Sequence, residues 1–244
     1  MATALTVDDM QAQYYLPHHV HLCEFDDGGV LLDLRREKYF GVNSGAMRSL
    51  NAFMRDGGNC APAQQEDVQS TTLAELEQSR LITRNRDFGR PFRPLSLACT
   101  DAVPFEGRAP GEAEIQPAHI LRFFSTGIAA ALELRARSLE RIVVRLRERK
   151  ARHAASLQAP DAASIVELVK IFRRLTPLLF TTKEFCLRDS LMLLEFLARH
   201  DVYPTLAIGV RTKPFGAHSW VQHETLLLND TLQHVETFTP ILAV

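Results

Sequence analysis

Apolar and polar residues alternate near the N-terminus in the pattern of short antiparallel strands. Residues 20–25 and 30–34 follow this alternation, and Asp26-Asp27-Gly28-Gly29 between them has the composition of a hairpin turn. A charged turn then leads to a short third strand, Tyr39–Val42. Apolar residues at helical spacing predict two helices after this small sheet, over about residues 44–56 and 68–80.

This patterning stops in a segment rich in proline and glycine. Residues 89–117 hold five prolines and three glycines, and neither the period of a strand nor that of a helix persists there. We therefore expect two domains, residues 1–88 and 117–244, joined by a Pro/Gly-rich linker over residues 89–116. The length of 244 residues is compatible with this division.

The C-terminal domain is predicted to begin with helices and to end with strands. Two helices meet around Leu134–Leu139, and Asp161 is placed to cap a third. Residues 185–201 form a strongly apolar helix, which indicates that this helix lies inside the domain. Strands are predicted over residues 205–210, 217–222 and 226–230, with a further strand or an extended tail from Val235. Helices and strands segregated in this way predict an α+β fold.

Composition and charge exclude several classes of protein. Hydrophobic residues make up 46% and charged residues 23% of the chain, which is typical of a folded protein. The formal net charge of −1 argues against a general polyanion binder. No apolar run reaches the roughly 20 residues that span a bilayer, and the N-terminus lacks the pattern of a signal peptide. Four scattered cysteines without a Cys-x-x-Cys pair predict a cytoplasmic protein with neither a disulfide framework nor a zinc site: Cys23, Cys60, Cys99 and Cys186.

Residues 135–152 are locally basic, with eight basic and two acidic side chains. Ile142, Val143 and Leu146 form the apolar stripe of this segment. A solvated helix face is the simpler interpretation of such a charge run. Docking of an acidic peptide or partner is the alternative.

Neither a cofactor nor a metal is expected. The sequence lacks a glycine-rich phosphate-binding loop, so any ATP dependence would belong to a partner protein. Metal sites need ligands at characteristic spacings. Eight histidines show no such spacing: His18, His19, His21, His119, His153, His200, His223 and His234.

Cys186 stands near the start of the apolar helix and is the candidate nucleophile. The N–H groups and the dipole at a helix N-terminus favour the thiolate, which is the reactive form of cysteine. The sequence also offers a competing helix start, because Thr181-Thr182-Lys183-Glu184 matches a capping box and would move Cys186 into the second turn. A small buried hydrophobe is the simpler interpretation of any single cysteine.

The hairpin that follows this helix offers a partner for the thiol. A three-residue loop at His223-Glu224-Thr225 would place His218 across from Asp230 on the same face, at a distance that suits a carboxylate holding an imidazole. A two-residue loop would place them on opposite faces. The loop lacks the glycine that three-residue hairpins favour, so the sequence leaves both registers open. Trp220 falls on the His218 face, either as core packing or as a shield for the imidazole.

The chain order Cys186, His218, Asp230 is that of a cysteine nucleophile, its base and an orienting carboxylate, as in a papain-like or transglutaminase-like core. Cys186 would attack a carbonyl carbon, His218 would take the thiol proton and later protonate the leaving amine, and Asp230 would fix the imidazole tautomer. This order predicts a cysteine peptidase that works through an acyl-thioester. Transfer of the acyl group to an amine needs the same three residues, so a transglutaminase-like acyl transferase stays open.

Several segments, taken together, resemble the B protein of lasso peptide biosynthesis. They are Cys186–Leu191 (CLRDSL), Leu206–Arg211 (LAIGVR), Pro214–Val221 (PFGAHSWV), Leu228–Asp230 (LND) and Leu134–Glu140. That family consists of transglutaminase-like cysteine proteases that remove the leader from a ribosomally made precursor peptide. The resemblance covers about residues 117–244 and implies a transglutaminase/papain-like fold with the same triad. It departs from the family at Ser219, where alanine is more common, and in the hairpin turn, where a glycine is missing.

The N-terminal part resembles the small leader-recognition element of peptide-modifying pathways, a three-stranded sheet with three helices that is likened to a winged helix. The resemblance implies that residues 1–88 bind the leader peptide as an added strand on the edge strand Tyr39-Phe40-Gly41-Val42, near Leu73 and Leu76. It also implies an ATP-dependent lasso cyclase, which resembles asparagine synthetase, as partner. A non-enzymatic module that binds peptide or nucleic acid is the alternative, although no basic recognition helix follows the sheet.

Overall fold

The computed structural model describes residues 14–54, 73–104, 114–153, 161–179 and 186–244. It divides the chain into two compact units, Met1–Leu95 and Ser96–Val244. The expected linker over residues 89–116 contributes, in its described part, to both units. Gly89–Arg90 forms a short strand of the first unit, and Asp101–Ala102 forms an edge strand of the second. In these two short strands, pairing satisfies backbone N–H and C=O groups although the sequence of the segment lacks the hydrophobic period of a strand.

The first unit is built on a three-stranded antiparallel sheet with the order β2-β3-β4. Its elements are β1 (Leu16–Pro17), β2 (Val20–Phe25), β3 (Gly28–Asp33), β4 (Lys38–Asn43), α1 (Ser44–Met54), α2, described over residues 73–78, and β5 (Gly89–Arg90). β1 pairs separately with β5, and β4 is an outer strand of the main sheet. The predicted end of α1 at Gly57-Gly58 and the predicted start of α2 lie outside the described residues.

The first hairpin is tighter than the sequence indicated. Phe25 pairs with Gly28, so the turn is Asp26-Asp27 alone and both glycines belong to β3. Gly28 has a φ of +147°, and a Cβ atom there would lie 2.2 Å from the carbonyl oxygen of Val42. Glycine is required at this position because the neighbouring strand approaches closer than a side chain allows.

Apolar side chains from the sheet and from α1 and α2 form one buried cluster in the first unit, which includes Val20, Leu31 and Leu50. α1 begins where the sequence predicted, because the Asn43 Oδ1 atom accepts a hydrogen bond from the N–H of Ala46 at 2.8 Å. The cap and the buried face of α1 together hold this helix against the strand that precedes it.

In its described residues the second unit packs helices against a five-stranded sheet of order β10-β7-β8-β9-β6. Its elements are β6 (Asp101–Ala102), α3 (Pro117–Ala136), α4 (Leu139–His153), α5 (Ala162–Leu175), α6 (Cys186–Ala198), β7 (Thr205–Thr212), β8 (Phe215–His223), β9 (Leu226–Leu227), α7 (Leu232–Val235) and β10 (Thr239–Ala243). Neighbouring strands are antiparallel except for β6, which pairs in parallel with β9.

The helical predictions for this unit are largely confirmed. α3 and α4 are separated at Arg137 and Ser138, inside the predicted range. Asp161 caps α5, since its Oδ1 atom accepts a hydrogen bond from the N–H of Ser164 at 3.0 Å. α6 is buried along most of its length and contacts β7, β8, α3 and α5. None of the described helices combines the length and the apolar character that crossing a bilayer requires.

Ion pairs fix α6 to the two helices at the start of this unit. Arg145 of α4 pairs with Glu133 of α3 and, at 2.7 Å, with Glu195 of α6, which also pairs with Arg149 at 2.9 Å. Glu133 is buried, and a buried carboxylate without a cation would be strongly destabilising. Part of the basic stretch 135–152 is therefore neither a solvated face nor a docking surface. It is an internal clamp on the helix that carries Cys186.

Candidate active site

The structure brings the side chains of Cys186 and His218 into contact. Cys186 is the first described residue of α6, and His218 lies in β8. A hydrogen bond to His218 lowers the pKa of the Cys186 thiol to about 7, against the opposing effect of burial, and bonds from Ser219 act in the same direction. The thiol therefore ionises more readily than an ordinary cysteine. The competing capping box at residues 181–184 lies outside the described residues.

His218 is held between Cys186 and Asp230. Burial lowers the pKa of His218, but hydrogen bonds to Asp230 and Cys186 outweigh burial and raise it to about 9. The Nε2 atom of His218 lies 2.5 Å from Oδ2 of Asp230. Because a carboxylate can only accept, Nε2 carries the hydrogen and the Nδ1 atom remains for the thiol. Between pH values of about 7 and about 9 the pair is a thiolate beside an imidazolium.

Asp230 is surrounded by hydrogen-bond donors. Its Oδ2 atom accepts from His218 and, at 2.9 Å, from Nδ1 of His234, and its Oδ1 atom accepts from the N–H of Thr231 at 2.7 Å. Burial raises the pKa of Asp230, but these bonds outweigh burial and lower the pKa below its ordinary value. The carboxylate is therefore ionised throughout the range in which the thiol and the imidazole titrate.

The hairpin that carries His218 has a two-residue turn, so of the two registers that the sequence left open the structure has the two-residue one and not the supposed three-residue loop. His223 pairs with Leu226 and Gln222 pairs with Leu227, while Glu224 adopts a left-handed φ of 53°. Left-handed residues allow such tight turns to match the twist of the strands. In a regular ladder this register would place His218 and Asp230 on opposite faces of the sheet.

The contact between His218 and Asp230 forms because the chain leaves the ladder after Leu228, whose N–H still donates to the Val221 carbonyl oxygen at 2.8 Å. The predicted strand over residues 226–230 is shorter than expected, since β9 ends at Leu227 and residues 228–230 form a bend. The N–H of Val221 donates to Oδ1 of Asn229 at 2.7 Å, and Arg173 of α5 donates to the Leu228 carbonyl oxygen at 2.6 Å. These two side chains stabilise the bend and so direct Asp230 towards His218.

Ser190 joins the three parts of the site. It is fully buried, and it lies one helical turn after Cys186. Its Oγ atom donates to the Ser219 carbonyl oxygen at 3.2 Å and accepts from Nδ2 of Asn229 at 3.0 Å. Ser190 therefore couples the cysteine helix to the histidine strand and to the bend. A serine on the buried face of an otherwise apolar helix was the sequence signal that could have revealed this contact.

Aromatic rings cover the side of His218 that faces the core. The ring centroids of His218 and Trp220 are 6.3 Å apart with an interplanar angle of 19°, and Phe238 lies 5.2 Å from the same imidazole. Gly209 pairs with His218 across the ladder, and a Cβ atom there would lie 2.8 Å from the Trp220 ring. Trp220 is buried, so it both packs in the core and limits solvent around the imidazole. Glycine at position 209 leaves the room that this arrangement needs.

His234 is a second residue of this site, after Ser190, that was not predicted from the sequence. It lies in α7, four residues after Asp230, and its side chain is 48% exposed. The signal that could have identified it is this i,i+4 spacing, which brings two side chains together on a helical turn. Donor atoms of His218, Asp230 and His234 lie within 4.8 Å of one another, a set that zinc accepts. Hydrogen bonds join the same side chains in the structure.

The residues predicted to bind a leader peptide lie in the first unit, in two environments. Val42 and Leu73 are buried in the core cluster, so they support the surface rather than form it. Phe40 and Leu76 are partly buried and pack against this cluster. Tyr39 is half-exposed, and Gly41 is exposed with open space where a Cβ atom would lie. The accessible part of the predicted site is thus the outer strand β4 with Leu76 beside it.

Comparison with known families agrees with the geometry of the second unit. Residues 125–243 match the family model described as the transglutaminase-like superfamily. That range contains all three of Cys186, His218 and Asp230. No curated protein and no solved structure gave a match to the chain. A transglutaminase-like domain is compatible with cysteine protease or acyltransferase activity. The C-terminal part of this chain therefore contains a domain of the transglutaminase-like superfamily.

Proposed function

We propose that the protein is a cysteine peptidase that removes the leader from a ribosomally made lasso peptide precursor. The observation that carries this proposal is the hydrogen-bonded series Cys186, His218 and Asp230 inside a transglutaminase-like domain. A thiolate beside an imidazolium, with a carboxylate on the far side of the ring, is the arrangement that nucleophilic attack on an amide needs.

The proposed reaction has two stages. The Cys186 thiolate attacks the scissile carbonyl carbon, and the backbone N–H of Cys186 donates to the oxyanion. The His218 imidazolium gives its proton to the leaving amine as the C–N bond breaks, which leaves a thioester and a neutral imidazole. Water then transfers a proton to His218 and attacks the thioester. Collapse of this second tetrahedral intermediate releases the carboxylic acid and restores the thiolate and the imidazolium.

The choice of a leader peptide as substrate is supported by the sequence resemblance and by the first unit. Among the described residues β4 is an outer strand of the main sheet, and an extended peptide can pair along the outer edge of a sheet. The half-buried side chains Phe40 and Leu76 would meet apolar side chains of that peptide. In this proposal the first unit binds the leader. The second unit cleaves the precursor peptide and passes its core segment to an ATP-dependent cyclase.

The mass of the product distinguishes hydrolysis from acyl transfer to an amine. We expect full-length protein, mixed with candidate precursor peptides encoded beside its gene, to yield a leader with a new carboxylate. In water enriched in 18O the leader should gain one labelled oxygen, because water resolves the thioester. Mass spectrometry measures this directly. An amine-linked product in the presence of lysine or methylamine, with no labelled leader, would favour the acyl transferase instead. Intact precursors throughout would contradict the proposal.

Proline at a position of β4 whose N–H faces the open edge should weaken leader binding without unfolding the unit. Backbone N–H groups of a strand alternate in direction, so one of the two adjacent positions, 40 or 41, donates towards the open edge. We expect proline at the outward-donating position, which is either 40 or 41, to weaken binding roughly tenfold and to raise KM while kcat is retained. Proline at the other position removes a hydrogen bond to β3 and is recognised by its lower melting temperature. Fluorescence anisotropy with labelled leader, in full-length protein that also carries Cys186→Ala, measures the affinity.

The matched controls are alanine at the same two positions. Gly41→Ala keeps the N–H and places its methyl group in open space, so both affinity and melting temperature should be unchanged. Phe40→Ala keeps the N–H and reports only the side chain. Unchanged leader affinity in both proline variants would show that β4 is not the leader-binding edge.

A further inference from the structure

We infer that His234 is a positioning residue of the peptidase site, which fixes the carboxylate of Asp230 so that it can hold His218. This inference rests on the proposed function. His234 shares one carboxylate oxygen with His218, since both imidazoles contact Oδ2 of Asp230, at 2.9 Å and 2.5 Å. The other oxygen accepts from the N–H of Thr231. Each carboxylate oxygen is thus tied to a group of the turn that begins α7, and Oδ2 also holds the His218 imidazole.

The tautomer of His234 follows from its partner. A carboxylate oxygen has no hydrogen to give, so the Nδ1 atom of His234 must carry one. The side chain of His234 is half-exposed. His234 therefore acts on Asp230 through one defined N–H donor.

The ring of His234 is held in place before any substrate arrives. Its backbone N–H donates to Oγ1 of Thr231 at 3.3 Å, which closes the turn at the start of α7. Its ring meets Phe238 edge-on at 5.4 Å and lies 4.6 Å from the His218 ring. A side chain packed in this way loses little freedom when it binds a carboxylate, so it is suited to orient Asp230.

The expected consequence is a loss in turnover rather than in substrate binding. Without the His234 donor, Asp230 can rotate away from the short bond to His218, and the imidazole then loses its fixed orientation. Loss of one such bond corresponds to roughly a tenfold fall in rate. The effect should appear in kcat, because the reacting groups are misplaced, and KM for precursor should stay close to the wild-type value.

The test compares His234→Ala, His234→Asn and His234→Gln in the full-length protein. The amide nitrogen of asparagine can take the place of Nδ1, whereas that of glutamine takes the place of Nε2 and misses Asp230. We expect asparagine to restore most of kcat and glutamine to resemble alanine. If His234 served only the structure of α7, the asparagine and glutamine variants would have the same kcat. Melting temperatures identify any variant that fails to fold.

Proton NMR gives a readout that does not depend on cleavage. The short bond between His218 and Asp230 should give a far-downfield proton resonance, assigned by its loss in His218→Ala. We expect this resonance in the wild type and in His234→Asn, and its loss or broadening in His234→Ala. An unchanged resonance with kcat within twofold of the wild type in His234→Ala would overturn the inference. So would a resonance that is absent from the protein as purified and appears only after dialysis against EDTA, since the nitrogen that carries this proton would then have been a metal ligand. If wild-type protein does not cleave precursor, the resonance still tests His234 separately from the proposed function.

Discussion

Replacing Cys186 by alanine should abolish precursor cleavage while the protein stays folded. The variant removes the nucleophile, and loss of a member of such a triad lowers kcat by about a thousandfold or more. The Cβ atom of the residue remains, so the packing of α6 against β8 is retained. Mass spectrometry of the precursor after incubation with the variant measures the loss. Cleavage at the wild-type rate would end the cysteine peptidase interpretation.

Cys99 provides the matched control in the same unit. Its thiol donates to Oε1 of Gln222 at 3.2 Å, and burial raises its pKa above the ordinary value. Cys99→Ala should therefore leave cleavage unchanged. Alkylation by iodoacetamide gives the same comparison without substrate, since thiolate is the reacting form. Labelling of Cys186 should rise through a pH of about 7, where its thiol ionises, and labelling of Cys99 should begin at higher pH.

The sequence predicted the candidate site through the order and the local setting of its residues. Cys186 was identified because it begins an apolar helix, and His218 because it lies on a strand of the following hairpin. Both signals are local, since helix and strand periodicity depend on residues close in the chain. The hairpin turn was the exception. Glu224 takes a left-handed conformation although it is not glycine, so the sequence did not indicate where the turn lies.

The contact between Asp230 and His218 was expected from the three-residue register of the hairpin, and the structure has the two-residue register. In a regular ladder the two-residue turn would separate Asp230 from His218, and contacts of the bend at residues 228–230 bring the two side chains together. Arg173 comes from α5, more than fifty residues earlier, and donates to the Leu228 carbonyl oxygen. Asn229 replaces a backbone partner of Val221. Neither contact has a sequence period, so a strand pattern alone could not have indicated the bend that directs the carboxylate.

The helices of the second unit were easier to predict than the ion pairs that join α3, α4 and α6. The Asp161 cap marked the start of α5 from neighbouring residues alone. The charge run over residues 135–152 suggested a solvated face, yet Arg145 and Arg149 turn inwards to Glu195. Their acidic partners lie on two other helices. These ion pairs form only when the helices pack together, so the number of charges in one segment cannot predict them.

Asp230→Asn should lower kcat by about a thousandfold with little change in KM. The amide keeps the shape of the carboxylate but not its charge, and its NH2 group can face the imidazole as a donor. His218 then loses both its tautomer and the partner that raises its pKa. The steady-state rate of precursor cleavage by full-length protein measures the effect. Asp101→Asn is the control, because Asp101 is an exposed carboxylate in the same unit. Retention of a third or more of the wild-type kcat by Asp230→Asn would show that the carboxylate does not serve the reaction.

The pH profile of kcat/KM for Asp230→Asn gives a second prediction, in which each limb moves in a stated direction. In the wild type, kcat/KM should rise through a pH of about 7 as the thiol ionises and should fall through about 9 as His218 loses its proton. Asp230 raises the pKa of His218, so its loss should move the falling limb to lower pH. The rising limb should move to higher pH, because a less stable imidazolium stabilises the thiolate less. The active range of Asp230→Asn should therefore narrow from both sides, whereas a change in folding alone would lower the rate at every pH and leave both limbs in place.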